Sequence, residues 1–390
     1  MPDSNKTAER KPIYMDNAAT TRMLPEVLEA MLPYMTEQFY NPSAIYAPTF
    51  PIREAIAHAK EQIARAVNCD PDGVFFTSGG TEGDNWVLQS TVNYMYCRGV
   101  ITTPIEHKAV LNTCRYLHDD MRVPVTYVPV DHDGLVDLDE LDNAARRFPN
   151  ALISVMMANN EVGTIEPISK VGEIASKYGN LFHTDAVQAV GTLAIDMPFQ
   201  NINFLTMSAH KFHGPKGIGA VCVRNAKLKP LLYGGLQQGG LRPGTENVAA
   251  IVGMGKAIEI ANKTKLERNV KATSLREELR HRIKQKLSGV YENGHGVIRL
   301  PNNLSLSFAG VDAQQLLMML DNASICVSAG SACNTVDINP SHVLMALEVP
   351  KKAIKGTIRF SLGDDTTEED VDYVAQKVVE FVNVLRGMNA

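Results

Sequence analysis

No apolar run in the 390-residue sequence approaches the roughly 20 residues a membrane-spanning helix needs, so a bilayer span is excluded. Nor is there a basic stripe: the formal charge is −5 with acids and bases interspersed, and nucleic acid is not an expected partner. Internal repeats, heptads and low-complexity tracts are absent, which argues against solenoids and coiled coils. The six cysteines, Cys69, Cys97, Cys114, Cys222, Cys326 and Cys333, follow neither a metal-ligand spacing nor a disulfide-like pattern, so no metal is expected. The opening segment Met1 to Arg10 lacks an apolar signal core and carries acids, and a cytoplasmic location is the expectation. What is left, 45% hydrophobic and 21% charged, is the make-up of a soluble enzyme with chain enough for two domains.

Within it, the stretch Ser208-Ala209-His210-Lys211-Phe212-His213-Gly214-Pro215-Lys216-Gly217 follows the apolar run Asn203 to Met207. A strand-length apolar run that ends in small and polar residues and then Gly-Pro reads as a buried strand emptying into a tight loop. Open α/β sheets bind ligands at such strand ends. Alone, Lys211 reads better as a solvated loop lysine. A second signal decides: Leu181-Phe182-His183-Thr184-Asp185-Ala186-Val187-Gln188 sets an acid at the end of another apolar run. A lysine for an aldehyde, and an acid to keep a pyridine nitrogen protonated, are the two parts that pyridoxal phosphate needs.

Taken in order, Tyr14 to Thr21 reads as a short strand and small-residue turn. Pro25 starts a helix to about Phe39, Asn41-Pro42-Ser43 is a turn, and Ile52 to Val67 has alanine-rich helical spacing. Gly73 to Thr77 is a strand, and Ser78-Gly79-Gly80-Thr81-Glu82-Gly83 leads from it into a helix around Trp86 to Tyr96. Glycines there let the backbone approach an anion, and the helix N-terminus attracts phosphate. From Val100 to Asp185 strands and helices alternate, which predicts a doubly wound, mostly parallel α/β sheet with helices on both faces. The large domain is expected over residues 16–262. The charged helical segment Asn262 to Lys286 reads as a connector, and residues 1–15 with 263–390 as a smaller α+β domain carrying Cys333 and Arg359.

Cys222 and Cys326 sit in apolar runs and read as small packing residues, whereas Cys333 follows Gly330-Ser331-Ala332 and opens a polar stretch, placed for reaction. Arg359 lies inside an apolar strand. Such a charge needs a partner, and a bound carboxylate and an internal salt bridge fit it equally. His107, in Glu106-His107-Lys108, and the pair Asn159-Asn160 stand in loops, where a cap or a turn is the plainer reading of each.

As an ordered set these motifs resemble the cysteine desulfurases of the nitrogenase-assembly and iron–sulfur-cluster type, within the fold-type I pyridoxal phosphate enzymes. The resemblance runs from Tyr14 to Gly363 and includes Phe76-Thr77-Ser78-Gly79-Gly80-Thr81-Glu82, Asn159-Asn160-Glu161-Val162-Gly163, Arg242-Pro243-Gly244-Thr245 and Gly330-Ser331-Ala332-Cys333. It implies that Lys211 holds the cofactor aldehyde, Asp185 the pyridine nitrogen and Gln188 the ring oxygen, with His107 on the ring and moving protons. It further implies a phosphate site from Gly80, Thr81, Ser208 and His210, completed by Thr245 of the neighbouring subunit in a homodimer. Asn160 and Arg359 would grip the carboxylate of L-cysteine, and Cys333 would take its sulfur as a persulfide for an acceptor protein, an iron–sulfur scaffold being the expected one.

Two positions depart from the family's pattern. Tyr46 stands where many members have a histidine, and Gly239 where a basic residue is usual. Seven positions separate Cys333 from Pro340, which resembles the longer cysteine loop of the group I members. A selenocysteine lyase shares these motifs and is the main alternative. An aminotransferase has no use for Cys333, and a non-catalytic sulfur-relay scaffold has no need of Lys211, Asp185 and His107 together.

Overall fold

The computed structural model describes residues 11–93, 97–329 and 340–388. After β1 (Ile13–Tyr14) come α1 (Pro25–Thr36) and α2 (Phe50–Val67), and then β2 (Val74–Thr77) and α3 (Gly80–Asn93). An alternating series follows: β3 (Val100–Thr102), α4 (Lys108–Asp119), β4 (Val125–Tyr127), α5 (Leu138–Arg147), β5 (Leu152–Ser154), α6 (Ile168–Lys177), β6 (Leu181–Asp185) and β7 (Phe204–Ser208). Next are β8 (Gly219–Val223), α7 (Val248–Lys286), β9 (Val290–Asn293), β10 (Asn303–Phe308), α8 (Ala313–Asn322) and β11 (Ile325–Cys326). The described chain ends with α9 (His342–Ala346), α10 (Lys351–Ile354), β12 (Thr357–Ser361) and α11 (Glu368–Met388).

The expected mixed α/β architecture is present. A seven-stranded sheet has the order β2-β8-β7-β6-β5-β3-β4. Strands β3 to β7 pair in parallel, while β8 is antiparallel to both β7 and β2, which makes β2 parallel to β7. The strands are short and apolar because helices cover both faces. Val74, Ile101, Ile153, Phe182 and Leu205 are buried in cores that also take in α2 and the first half of α7. A second core gathers Ile13, Met15, Leu279, Ile283, Leu306, Phe360, Val374 and Val382 around the antiparallel sheet β12-β10-β9. β1 crosses to this second body and pairs in parallel with β11.

Helix α7 departs from the expected helix-plus-connector. It is one continuous helix of 39 residues, burying Ile251, Met254 and Ile258 on the first core and Leu275, Leu279 and Ile283 on the second. At 1.5 Å per residue it spans about 58 Å, enough to join both bodies as a single rod. Six further elements lay outside the sequence reading, namely β8, β9, α8, β11, α9 and α10. None of the described helices is long and apolar enough to cross a membrane.

Candidate active site

Six strands of the large sheet point their C-terminal ends to one edge, and the segments that follow five of them carry the candidate residues. β2 delivers Gly79-Gly80-Thr81, β3 delivers His107, β5 delivers Asn159-Asn160, β6 ends on Asp185 with Gln188 three residues on, and β7 ends on Ser208 ahead of His210 and Lys211. Lys211 closes a single 3₁₀ turn, Ala209–Lys211. Gly214 folds back so tightly that a β-carbon there would lie 2.8 Å from Ala209 Cβ, and His213 is left-handed at φ 66°. Local strain of this kind is retained where surrounding contacts over-determine it. Here the His213 amide donates to Thr21 Oγ1 at 2.8 Å.

Lys211 Nζ donates to the carbonyls of Ala18 and Ala19 at 2.5 and 2.8 Å, and Gln188 Nε2 donates to the same Ala18 carbonyl at 3.0 Å. That small-residue turn is pinned to the second body by Ser361, whose Oγ accepts from the Ala18 amide at 2.9 Å. The Asp185 carboxylate is 5% exposed, and its Oδ1 accepts from the Val187 amide at 2.9 Å. Burial raises its proton affinity, while His107, the Val187 amide and Lys211 oppose that rise. His107 caps α4 by accepting the Ala109 N–H on Nδ1 at 3.1 Å, which fixes the neutral ring's proton on Nε2. Burial first, then the nearby lysines, hold its pKa below the ordinary 6.5 although Asp185 pulls the other way. His210 meets Thr20 Oγ1 at 3.1 Å, and burial together with Lys211 and Lys216 lowers its pKa to about 4.

Gly80 opens α3 against Val187, where an added β-carbon would meet Cγ2 at 2.7 Å and lie 3.9 Å from Ser208 Cβ. Only glycine lets the N-terminus of α3 settle this close to β6 and β7. Thr245 is exposed on the segment before α7, and Arg242 there makes a two-point ion pair with Glu82 in the first turn of α3 at 2.9 and 3.2 Å.

Arg359 and Asn160 do come together: Nη1 donates to the Asn160 carbonyl at 2.9 Å. Arg359 is 4% exposed, and its Nη2 pairs with Asp16 Oδ1 at 2.7 Å, so the internal salt bridge weighed from sequence is present. Nε has no hydrogen-bond partner. Cys333 lies outside the described residues. The chain on either side of it is tied to the site. Ser328 pairs with Arg359 through backbone bonds of 2.7 and 3.2 Å, Ser341 Oγ donates to Glu161 Oε2 at 2.5 Å, and His342 Nε2 meets the Glu106 carbonyl at 3.0 Å. Cys222 is buried as expected, whereas Cys326 is only partly so. Sequence reasoning missed Asp16, Asp84, Glu106, Glu161 and His342. Glu106 stood beside His107 in a quoted motif, and Asp16 and Glu161 stood within others, while nothing in the sequence reading singled out Asp84 or His342.

A family model described as aminotransferase class V matches residues 13–374. The chain is 44% identical to a Clostridium botulinum protein named cysteine desulfurase IscS, over 97% of this chain and 96% of that one. Among solved structures it is similar to a NifS-like protein (TM-score 0.89, 38% identity, 96% of this chain and 100% of that one) and to SspA in complex with cysteine (TM-score 0.76, 34% identity, 90% and 98%).

Proposed function

The chain belongs to the class-V aminotransferase family, and from that premise we propose that it is a pyridoxal phosphate-dependent cysteine desulfurase, turning L-cysteine into L-alanine and loading the sulfur on Cys333. The observation that carries the reading is the convergence of Lys211 and Gln188 on one carbonyl, beside a buried Asp185, at the edge where the parallel strands end. The residues suit the cofactor. A buried acid can hold a proton on the pyridine nitrogen, and the glycine-permitted approach of α3 offers amides to a phosphate. Bound there, the cofactor supplies an aldehyde for amines and a protonated ring that withdraws electrons from the substrate's α-carbon.

Lys211 would hold the aldehyde through Nζ, Asp185 the ring nitrogen and Gln188 the ring oxygen. Gly80, Thr81, Ser208 and His210 would take the phosphate, joined by Thr245 from a second copy of the chain. The large apolar side chains of Tyr233 and Leu236, 81% and 87% exposed on the loop before Thr245, favour such a homodimer, because they would otherwise face water. Arg359, held by Asp16 and the Asn160 carbonyl, would receive the substrate carboxylate. Lys211 Nζ and His107 Nε2 would move protons, the latter as a donor because the neutral ring carries its proton on Nε2.

The Cys333 thiolate would attack the substrate sulfur. The electron pair of the broken C–S bond stays with the carbon fragment, which takes a proton and leaves as L-alanine. Cys333 keeps the sulfur as a persulfide for a cytoplasmic acceptor protein, an iron–sulfur scaffold being the proposed one. The test is to incubate the purified, loaded protein with L-cysteine, quantify alanine, and map the added sulfur by mass spectrometry. One alanine per persulfide on the Cys333 peptide is expected, and alanine formed with no sulfur on Cys333 would overturn the proposal.

A further inference from the structure

Behind the site the sheet carries a polar strip. Ser154 lies opposite His183, and Asp185 opposite Thr206, in neighbouring strands. His183 and Asp185 are two residues apart on β6, so all four side chains stand on one face. Helix α3 seats on that face through Gly83, where a β-carbon would lie 2.6 Å from Thr206 Cγ2. This close seating brings Asp84 down onto the strip, 1% exposed.

Hydrogen bonds link the strip from end to end, and one tautomer of His183 lets them all run in one direction. Ser154 Oγ is 2.9 Å from His183 Nδ1, and His183 Nε2 is 3.0 Å from Thr206 Oγ1. With the serine hydroxyl donating to Nδ1 and Nε2–H donating to Thr206, the threonine proton is left to turn to the Asp84 carboxyl it faces. That carboxyl's Oδ1 then has no donor, lying 3.6 Å from the already committed His183 Nε2. The titratable groups around it are His183, Asp185 and, from the segment after β3, Glu106. His183 is no counter-charge, since burial drives its pKa to about 3. The other two are carboxyls. A buried carboxylate with an orphan oxygen and acids for neighbours is the costly state, and protonation removes the cost.

We infer that Asp84 is kept as a neutral carboxylic acid and is a positioning residue, supporting β6 and β7 behind Asp185 while leaving Asp185 the strip's one negative charge. Burial and the adjacent Asp185 push the Asp84 carboxyl well above its ordinary range, whereas Asp185 has the Val187 amide and Lys211 to favour ionisation. A second anion there would raise the proton affinity of Asp185 and weaken it as partner to a ring nitrogen. The inference rests on the assignment of Asp185 to that nitrogen, but its first test uses neither cofactor nor turnover.

In cofactor-free protein, infrared difference spectra of wild type minus Asp84→Asn should show, from pH 5 to 8, the carbonyl band of one un-ionised acid. Loss of ionised carboxylate bands in its place overturns the inference. Asp84→Ala supplies the same difference spectrum if the asparagine variant does not fold. In loaded protein the pH midpoint of the cofactor's visible band should move in Asp84→Ala by about half a unit or more, and return in Asp84→Asn to within about 0.3 unit of wild type. A midpoint unmoved in Asp84→Ala, or not restored by asparagine, removes the positioning role.

Discussion

Replacing Arg359 by alanine removes two contacts at once, the 2.7 Å ion pair with Asp16 and the 2.9 Å bond to the Asn160 carbonyl. Breaking a buried pair costs about 3 to 5 kcal/mol because the survivor is left uncompensated. Asp16 is one-fifth exposed, so water recovers part of that and about 2 to 3 kcal/mol of stability should be lost. The same guanidinium is proposed to give the cysteine carboxylate a charge-assisted hydrogen bond, about 1.5 to 3 kcal/mol, on the order of 10-fold to 100-fold in Kd. Asp16→Asn separates the two effects. It keeps an oxygen for Nη2 but removes the competing charge, so stability should fall by about 1 kcal/mol while cysteine binds as tightly as before or more tightly. Both variants are best measured in a Cys333→Ser background, where the cofactor's absorbance reports binding without turnover, alongside thermal unfolding of the cofactor-free proteins. If Arg359→Ala loses stability yet keeps the Kd within about twofold, Arg359 is a structural residue and the carboxylate sits elsewhere.

Lys211→Ala should abolish turnover and leave any retained cofactor extractable by mild denaturation, and full activity in this variant would remove the basis of the assignment. Cys333→Ser should still bind cofactor and L-cysteine but release almost no sulfide, because a hydroxyl is a far poorer nucleophile toward sulfur. Residual activity on selenocysteine would show that Cys333 is needed only for the harder bond. Cys326→Ser is the control, since burial first and then Asp321 and Asp16 raise that thiol's pKa, and undiminished desulfuration in Cys333→Ser beside loss in Cys326→Ser would reverse the roles. For Glu166, burial raises the carboxyl to about 8, and Oε1 has no partner. A folded pKa above the unfolded value of about 4.3 means stability present at low pH and lost as pH climbs toward 8. Glu166→Gln should therefore gain on wild type in melting temperature between pH 5 and 8, and a constant difference would refute the shift.

Much of the large sheet was legible because parallel α/β units repeat a local signal. The alanine-rich spacing over Ile52 to Val67 becomes α2, which starts two residues earlier at Phe50. β8 was not legible as a sheet member. Its apolar run is plain, but its antiparallel place between β2 and β7 is settled only by what fills the gap there. The charged segment after Ala261 read as a connector because composition changes at that point. The helix continues regardless, since backbone hydrogen bonding needs no apolar residue and each half has its own core to lie on.

At the site the legible residues are those whose role is set by sequence neighbours: a lysine after a strand and before Gly-Pro, an acid closing another strand, glycines ahead of a helix. Arg359 marks the limit. Nothing within its own strand says whether a carboxylate from substrate or from protein meets it, and the acid that does is 343 residues away. Asp84 marks it more sharply, because helix α3 could present that position to water or to the sheet. What turns it inward is Gly83, whose missing side chain lets the helix close on Thr206. A β-carbon restored there, as in Gly83→Ala, would have to push α3 off the sheet. The acid beneath it would then become wet and ionise, and the charge that the fold confines to Asp185 would be shared.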